Sequence, residues 1–161
     1  GRWQFTPDGF AGEAAVSFLL DGQQHANTLC RLDDLRLLYR PTPDTLRHAL
    51  HDLLTANSCS LGDIDAVLIG LNTNPDNDTV YLDTAAELYP ATPLIRYKHL
   101  FGESFSASAL AHYVAANCLR RGHIPSHLRL DSAAASLPAR RILIHNHSMN
   151  KTHTLTLLSA C

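Results

Sequence analysis

Ten histidines are spread over the 161 residues, and His145, His147 and His153 fall close together near the end of the chain. His145 and His147 stand two apart in a stretch of strand character, so both side chains point to one face. His153 follows the turn Ser148–Lys151 and reaches toward them across a hairpin. Imidazoles grouped in this way bind zinc when a further donor joins them. No acidic residue or cysteine stands beside these three, so no metal is expected. Asp76 and Asp78 form a carboxylate pair, but the polar run Asn72–Asp78 reads more simply as a loop that caps the next helix. Cys30, Cys59, Cys118 and Cys161 are scattered without any CxxC. Neither Cys59 nor Cys118 lies in the context of an exposed nucleophile, and both read as packing residues. No glycine loop of Walker or GxGxxG type occurs, so phosphate cradling has no support and no cofactor is expected.

The stretch that must position whatever chemistry remains is Tyr97–Gly122, YKHLFGESFSASALAHYVAANCLRRG. It opens with Lys98 and a Phe-Gly-Glu turn, then runs into a helix. Ala107, Ala111 and Ala115 share one face, with Leu110, Val114 and Cys118 as the neighbouring ridge. A helix this apolar is a buried one, and its alanines predict close approach by other backbone, as between two sheets. Arg120 and Arg121 complement the dipole at its end.

Around it the chain predicts alternating strands and helices. Ala14–Leu20 reads as a buried strand and Asn27–Arg40 as a second one. A helix capped by Asp44 spans Thr45 to about Asn57. Ile64–Leu71 is a buried strand, Thr79–Tyr89 a helix, and Leu94–Tyr97 a short strand. Residues 123–141 read as irregular, and two strands, Ile142–His147 and His153–Ser159, close the chain. This order points to an α/β domain with a mixed sheet. A hydrophobic content of 45% over this length suits one compact domain, residues 1–161. A formal net charge of −2 gives no broad attraction to nucleic acid or anionic membrane. No apolar run approaches the roughly 20 residues that span a bilayer. The cysteine usage fits a reducing cytoplasm.

In this order, three stretches resemble the C-terminal half of a β-ketoacyl synthase of the thiolase superfamily. Phe5-Thr-Pro-Asp-Gly-Phe-Ala-Gly-Glu-Ala-Ala resembles the entry strand F-x-P-x-E-G-A-G. IDAVLIGLNTNPDNDTVY sits where the family has D-x-V-x-x-H-G-T-x-T-x-x-N-D-x-x-E. YKHLFGESFSASALA sits where it has K-S-x-x-G-H-x-x-x-A-A-G, and LRRGHIP resembles L-x-x-G-x-I-P. The resemblance implies a thiolase-like half domain, a five-stranded mixed sheet with helices on both faces. It implies enzymes that join an acyl chain to a malonyl extender. In these, two histidines aim donors at a developing oxyanion beside a cysteine nucleophile from the other half.

The chain departs from this pattern at both histidines. Counted from Asn77-Asp78, the first falls on Gly70; counted from Lys98, the second falls on Glu103. Lys98 matches the family lysine, so Lys98 and Glu103 are the candidate catalytic positions. An ionised carboxylate accepts hydrogen bonds and donates none, and it repels an enolate. A structural Lys98–Glu103 pair is therefore the favoured reading. The glycine-rich loop F-G-F-G-G-T-N is replaced by roughly HNHSMNKTH, which implies a rebuilt pocket wall.

The expectation is thus a ketosynthase-like dimer component without decarboxylative chemistry, a structural or chain-length-setting partner in fatty acid, polyketide or polyene assembly. Its expected partners are an N-terminal thiolase-type half, in the same protein or a separate chain, an acyl carrier protein, and a catalytic ketosynthase. The alternatives are an active acyltransferase with Glu103 as base and a non-enzymatic interaction module. The Ala107/Ala111/Ala115 face is expected to be exposed until a partner covers it.

Overall fold

The computed structural model describes residues 11–131 and 133–161. Most of the predicted entry strand, Phe5 to Phe10, lies outside the described residues. The strands are β1 (Arg31–Tyr39), β2 (Ala66–Ile69), β3 (Leu94–Arg96), β4 (His123–Ile124), β5 (Leu137–Pro138), β6 (Arg141–Ser148) and β7 (Thr152–Ser159). The helices are α1 (Pro43–Ala56), α2 (Pro75–Leu88), α3 (Lys98–Phe101) and α4 (Ala107–Arg121).

Both large outer helices begin earlier than the sequence suggests, for one reason. Thr42 caps α1 by accepting a bond from the Thr45 amide, with Pro43 directly after the cap. Asn74 caps α2 through the amides of Asp76 and Asn77, again with proline next. Proline is pre-set for the first helical position and lacks the amide that would go unpaired there. Asp44 is therefore a first-turn residue rather than the cap, and Asp76 and Asp78 belong to the first turn of α2 rather than to a loop.

The main sheet runs β1-β7-β6-β2-β3. β2 is parallel to both β3 and β6, while β7 is antiparallel to β6 and to β1. This is the five-stranded mixed sheet anticipated, with helices on both faces. On one face α1 and α2 pack Leu50, Leu53, Tyr81 and Ala85 against Val67, Ile69, Leu143, Leu155 and Leu157. On the other, α4 packs Leu110, Ala111, Ala115 and Cys118 against Ala66, Leu68, Ile142 and Ile144. Successive residues of β2 and β6 thus serve opposite layers, which is why both strands read as unbroken apolar runs.

Three expectations change. The alanine face of α4 is not a vacant surface: Ala111 and Ala115 are fully buried by the chain's own sheet. Small side chains let the helix backbone lie close to the strands. Ala14–Leu20 is not a strand; Ala14 and Val16 pack beside α4, but Leu19 and Leu20 are exposed, because no neighbouring strand pairs with this segment. Within 123–141, β4 and β5 form a short antiparallel pair.

An uncovered apolar surface among the described residues lies on the edge strand β1. Leu38 of β1 packs toward the α1/α2 layer. Alternation then sends Leu35, Leu37 and Tyr39 to the α4 side, where they are 50%, 67% and 70% exposed. Replacement of Ala111 by Leu should lift α4 from the sheet and cost about 1–3 kcal/mol in a urea melt. Leu37→Ser should stay within about 0.5 kcal/mol of the parent protein.

Candidate functional site

Because β2, β3 and β6 run in one direction, their carboxyl ends meet along one edge of the sheet, where open α/β sheets place their sites. Gly70 follows β2, Lys98 follows β3, and Asn146 lies near the end of β6. Lys98 is buried, and its Nζ donates to Glu103 Oε2 at 2.6 Å. Asn72 donates its side-chain amide to the same oxygen, also at 2.6 Å. Asp78 in turn holds the Asn72 loop, accepting from the amides of Asn72 and Thr73 at 2.9 and 3.0 Å. Glu103 stands ahead of α4, not at its first turn, and its carboxylate is the counter-charge of a buried ammonium.

The glycine of the entry motif fits this turn closely. A Cβ on Gly12 would lie 1.7 Å from the Phe101 carbonyl oxygen, and the Gly12 amide donates to Glu103 O at 3.0 Å. Gly102, at φ +75°, makes the turn that brings Glu103 back over Lys98.

Gly70 is fixed just as tightly. A Cβ there would stand 2.6 Å from the Tyr81 hydroxyl oxygen, 3.0 Å from Lys98 Cε and 3.2 Å from Asn146 Oδ1. The space a histidine would take at this position is filled. Tyr81 comes from α2, is buried, and accepts a bond from the His147 amide at 3.0 Å. Burial pushes its phenol far above its ordinary range. Tyr97 donates to Asn146 Oδ1 at 3.2 Å, while Asn146 Nδ2 is buried without a partner. Tyr81, Asn72, Tyr97 and Asn146 escaped the sequence reading. A glycine standing where a motif expects histidine is a signal that another side chain fills its place, but it does not say which.

The three histidines of the hairpin line the α1/α2 side of this edge. His145 is fully buried; its Nδ1 meets the Tyr89 hydroxyl at 3.2 Å and its Nε2 meets His153 Nδ1 at 3.1 Å. His153 Nε2 bonds Asn150 Oδ1 at 3.0 Å. Burial lowers His145 to about 3 and His153 to about 4, helped by the neighbouring imidazoles. Among the described residues, no group of three or more histidine, cysteine or acidic side chains could hold a metal ion. Cys118 packs within the α4 layer, and burial raises its thiol to about 11, so it holds its proton. Cys59 bonds the Leu54 carbonyl.

No family model matches the chain, and no curated protein matches it significantly. Solved structures do match. The ishigamide ketosynthase/chain length factor superposes with a TM-score of 0.67 at 15% identity, over 83% of this chain and 38% of that one. A β-ketoacyl synthase from Burkholderia phymatum STM815 gives 0.68 at 14% identity, with the same two coverages. The ketosynthase AntDE, solved with its type II polyketide acyl carrier protein AntF, gives 0.66 at 11% identity, over 83% and 39%. The chain shares the thiolase-like fold of these ketosynthases over the matched region. The chain spans about two-fifths of the length of these neighbours. No helix among the described residues is long and apolar enough to cross a membrane.

Gly70→Ala should therefore destabilise the protein by about 1–3 kcal/mol. In a Tyr81→Phe background the added methyl should cost clearly less, because the clashing oxygen is gone. A double-mutant cycle by urea denaturation measures this coupling. Glu103→Ala should destabilise more than the paired change Lys98→Met with Glu103→Ala, since the single change strands a buried ammonium. The same melts report it.

Proposed function

We propose that this chain is the C-terminal-type half of a ketosynthase-like protein without decarboxylative chemistry, acting as a structural or chain-length-setting partner in fatty acid, polyketide or polyene assembly. The observation that carries the proposal is the Tyr81 hydroxyl packed over Gly70, where the resemblance expects the first histidine. The second histidine position supports it, because Glu103 Oε2 is already bonded to Lys98 and Asn72. Oxyanion stabilisation needs donors aimed at the reacting oxygen, and these two positions supply none.

An N-terminal thiolase-type half is the proposed cover for Leu35, Leu37 and Tyr39, on the same side of the sheet as α4. The neighbours support this by their length, more than twice the part that matches. An acyl carrier protein and a catalytic ketosynthase are the further proposed partners, by analogy with the AntDE–AntF complex and the ketosynthase/chain length factor. The alternative acyltransferase would need Glu103 as a free base, whereas its Oε2 is committed to two donors.

The test is malonyl decarboxylation by the native protein together with its carrier protein, followed as carbon dioxide release. The expected result is a rate indistinguishable from the blank and unchanged by Glu103→Gln. Decarboxylation that Glu103→Gln abolishes would overturn the proposal.

A further inference from the structure

The hairpin joining β6 to β7 turns through Met149 and Asn150, at φ +52° and +51°. Two successive left-handed residues are the geometry of a tight hairpin turn, yet methionine gains nothing from that conformation, unlike glycine. Something outside the turn must hold it. Asn150 is gripped twice: its amide donates to His147 Nδ1 at 3.3 Å, and its side-chain oxygen accepts from His153 Nε2 at 3.0 Å. His147 Nε2 donates to the Asn77 carbonyl at 3.1 Å in the first turn of α2, and its ring lies 4.1 Å from that of Tyr81.

We propose that the β6–β7 hairpin is an acid-released clamp, in which neutral His147 and His153 hold the turn closed against α2. His147 must be neutral, because its Nε2 donates to a carbonyl while its Nδ1 accepts from an amide. His153 gives its Nε2 proton to Asn150; in the neutral ring its Nδ1 then accepts from His145 Nε2, and His145 Nδ1 accepts from the Tyr89 hydroxyl. All three rings are then Nε2–H tautomers. A proton on His147 Nδ1 opposes the Asn150 amide, donor against donor. A proton on His153 Nδ1 forces His145 into its other tautomer and leaves the Tyr89 proton without an acceptor in the core.

The groups facing these rings are known. Asp78 of α2 and Glu103 draw a proton toward His147, and Lys98 repels one, but burial dominates and keeps the ring below its ordinary value. Tyr81 of α2 and Tyr89 just after it bring no charge, and Leu38 of β1 stands opposite His153. Because the closed form binds a proton less readily than an ordinary imidazole at 6.5, it loses stability as the pH falls below that value. The turn stands at the same sheet edge as Lys98 and Glu103, so its release uncovers one wall of that site.

The test is hydrogen exchange of the full protein between pH 7.5 and 5, with each rate divided by its intrinsic value. Below the ordinary imidazole value of 6.5 the opening constants of the His147 and Asn150 amides should rise by up to roughly tenfold per pH unit for each histidine that takes up a proton on opening. The amides of Val67 and Leu143 should not follow. His147→Gln with His153→Gln should flatten the dependence. Imidazole nitrogen shifts of the unaltered protein give an independent reading, and at pH 7.5 all three rings should be Nε2–H. A flat hairpin profile, an opening shared with the core strands, or any of the three rings carrying an Nδ1 proton overturns the clamp.

Discussion

A lysine ammonium buried at the carboxyl ends of three parallel strands sets the terms for this end of the molecule. Buried charge is tolerated only when paired and hydrogen-bonded. Lys98 obtains its partner from Glu103, a few residues further on, and that requirement shapes the intervening chain. α3 must end at Gly102, whose positive φ returns the chain. Gly12 must pack without a side chain against the Phe101 carbonyl. Asn72 completes the carboxylate shell, and Asp78 holds Asn72. The segment before the first strand, the loop after β2 and the start of α4 are all tied to one ion pair.

The same edge shows how closely Gly70 is packed. A side chain from α2 fills the space over Gly70, and the Tyr81 hydroxyl takes a backbone bond from β6. Close packing leaves no gap at this point. Three histidines gather on the hairpin; His145 and His153 are buried and bond each other, and Asn150 links His153 to His147.

The layered core was legible in the sequence. Ile64–Leu71 read as a buried strand and Ile142–His147 as a closing strand, matching β2 and β6, and the alanine spacing of α4 marked a helix in close contact. The motif spacing led to Gly70, Lys98 and Glu103, and the Lys98–Glu103 pair followed from charge and proximity alone. Helix starts were less legible, because Asp44 competed with Thr42 as a cap and the following proline decided between them.

Local sequence thus determined most of the element types and the α/β layering, since these depend on periodicity and on neighbours a few residues away, although Ala14–Leu20 carried strand character without forming a strand. Only the tertiary structure decided which surface of the chain stays uncovered. The alanine face met its own sheet, while Leu35, Leu37 and Tyr39 were left open on the edge strand, because strand order is a non-local property. It also decided that Tyr81 fills the space over Gly70 and that His145, His153, Asn150 and His147 are joined in one run of hydrogen bonds. Those contacts join residues far apart in sequence, and no local pattern encodes the distance between them.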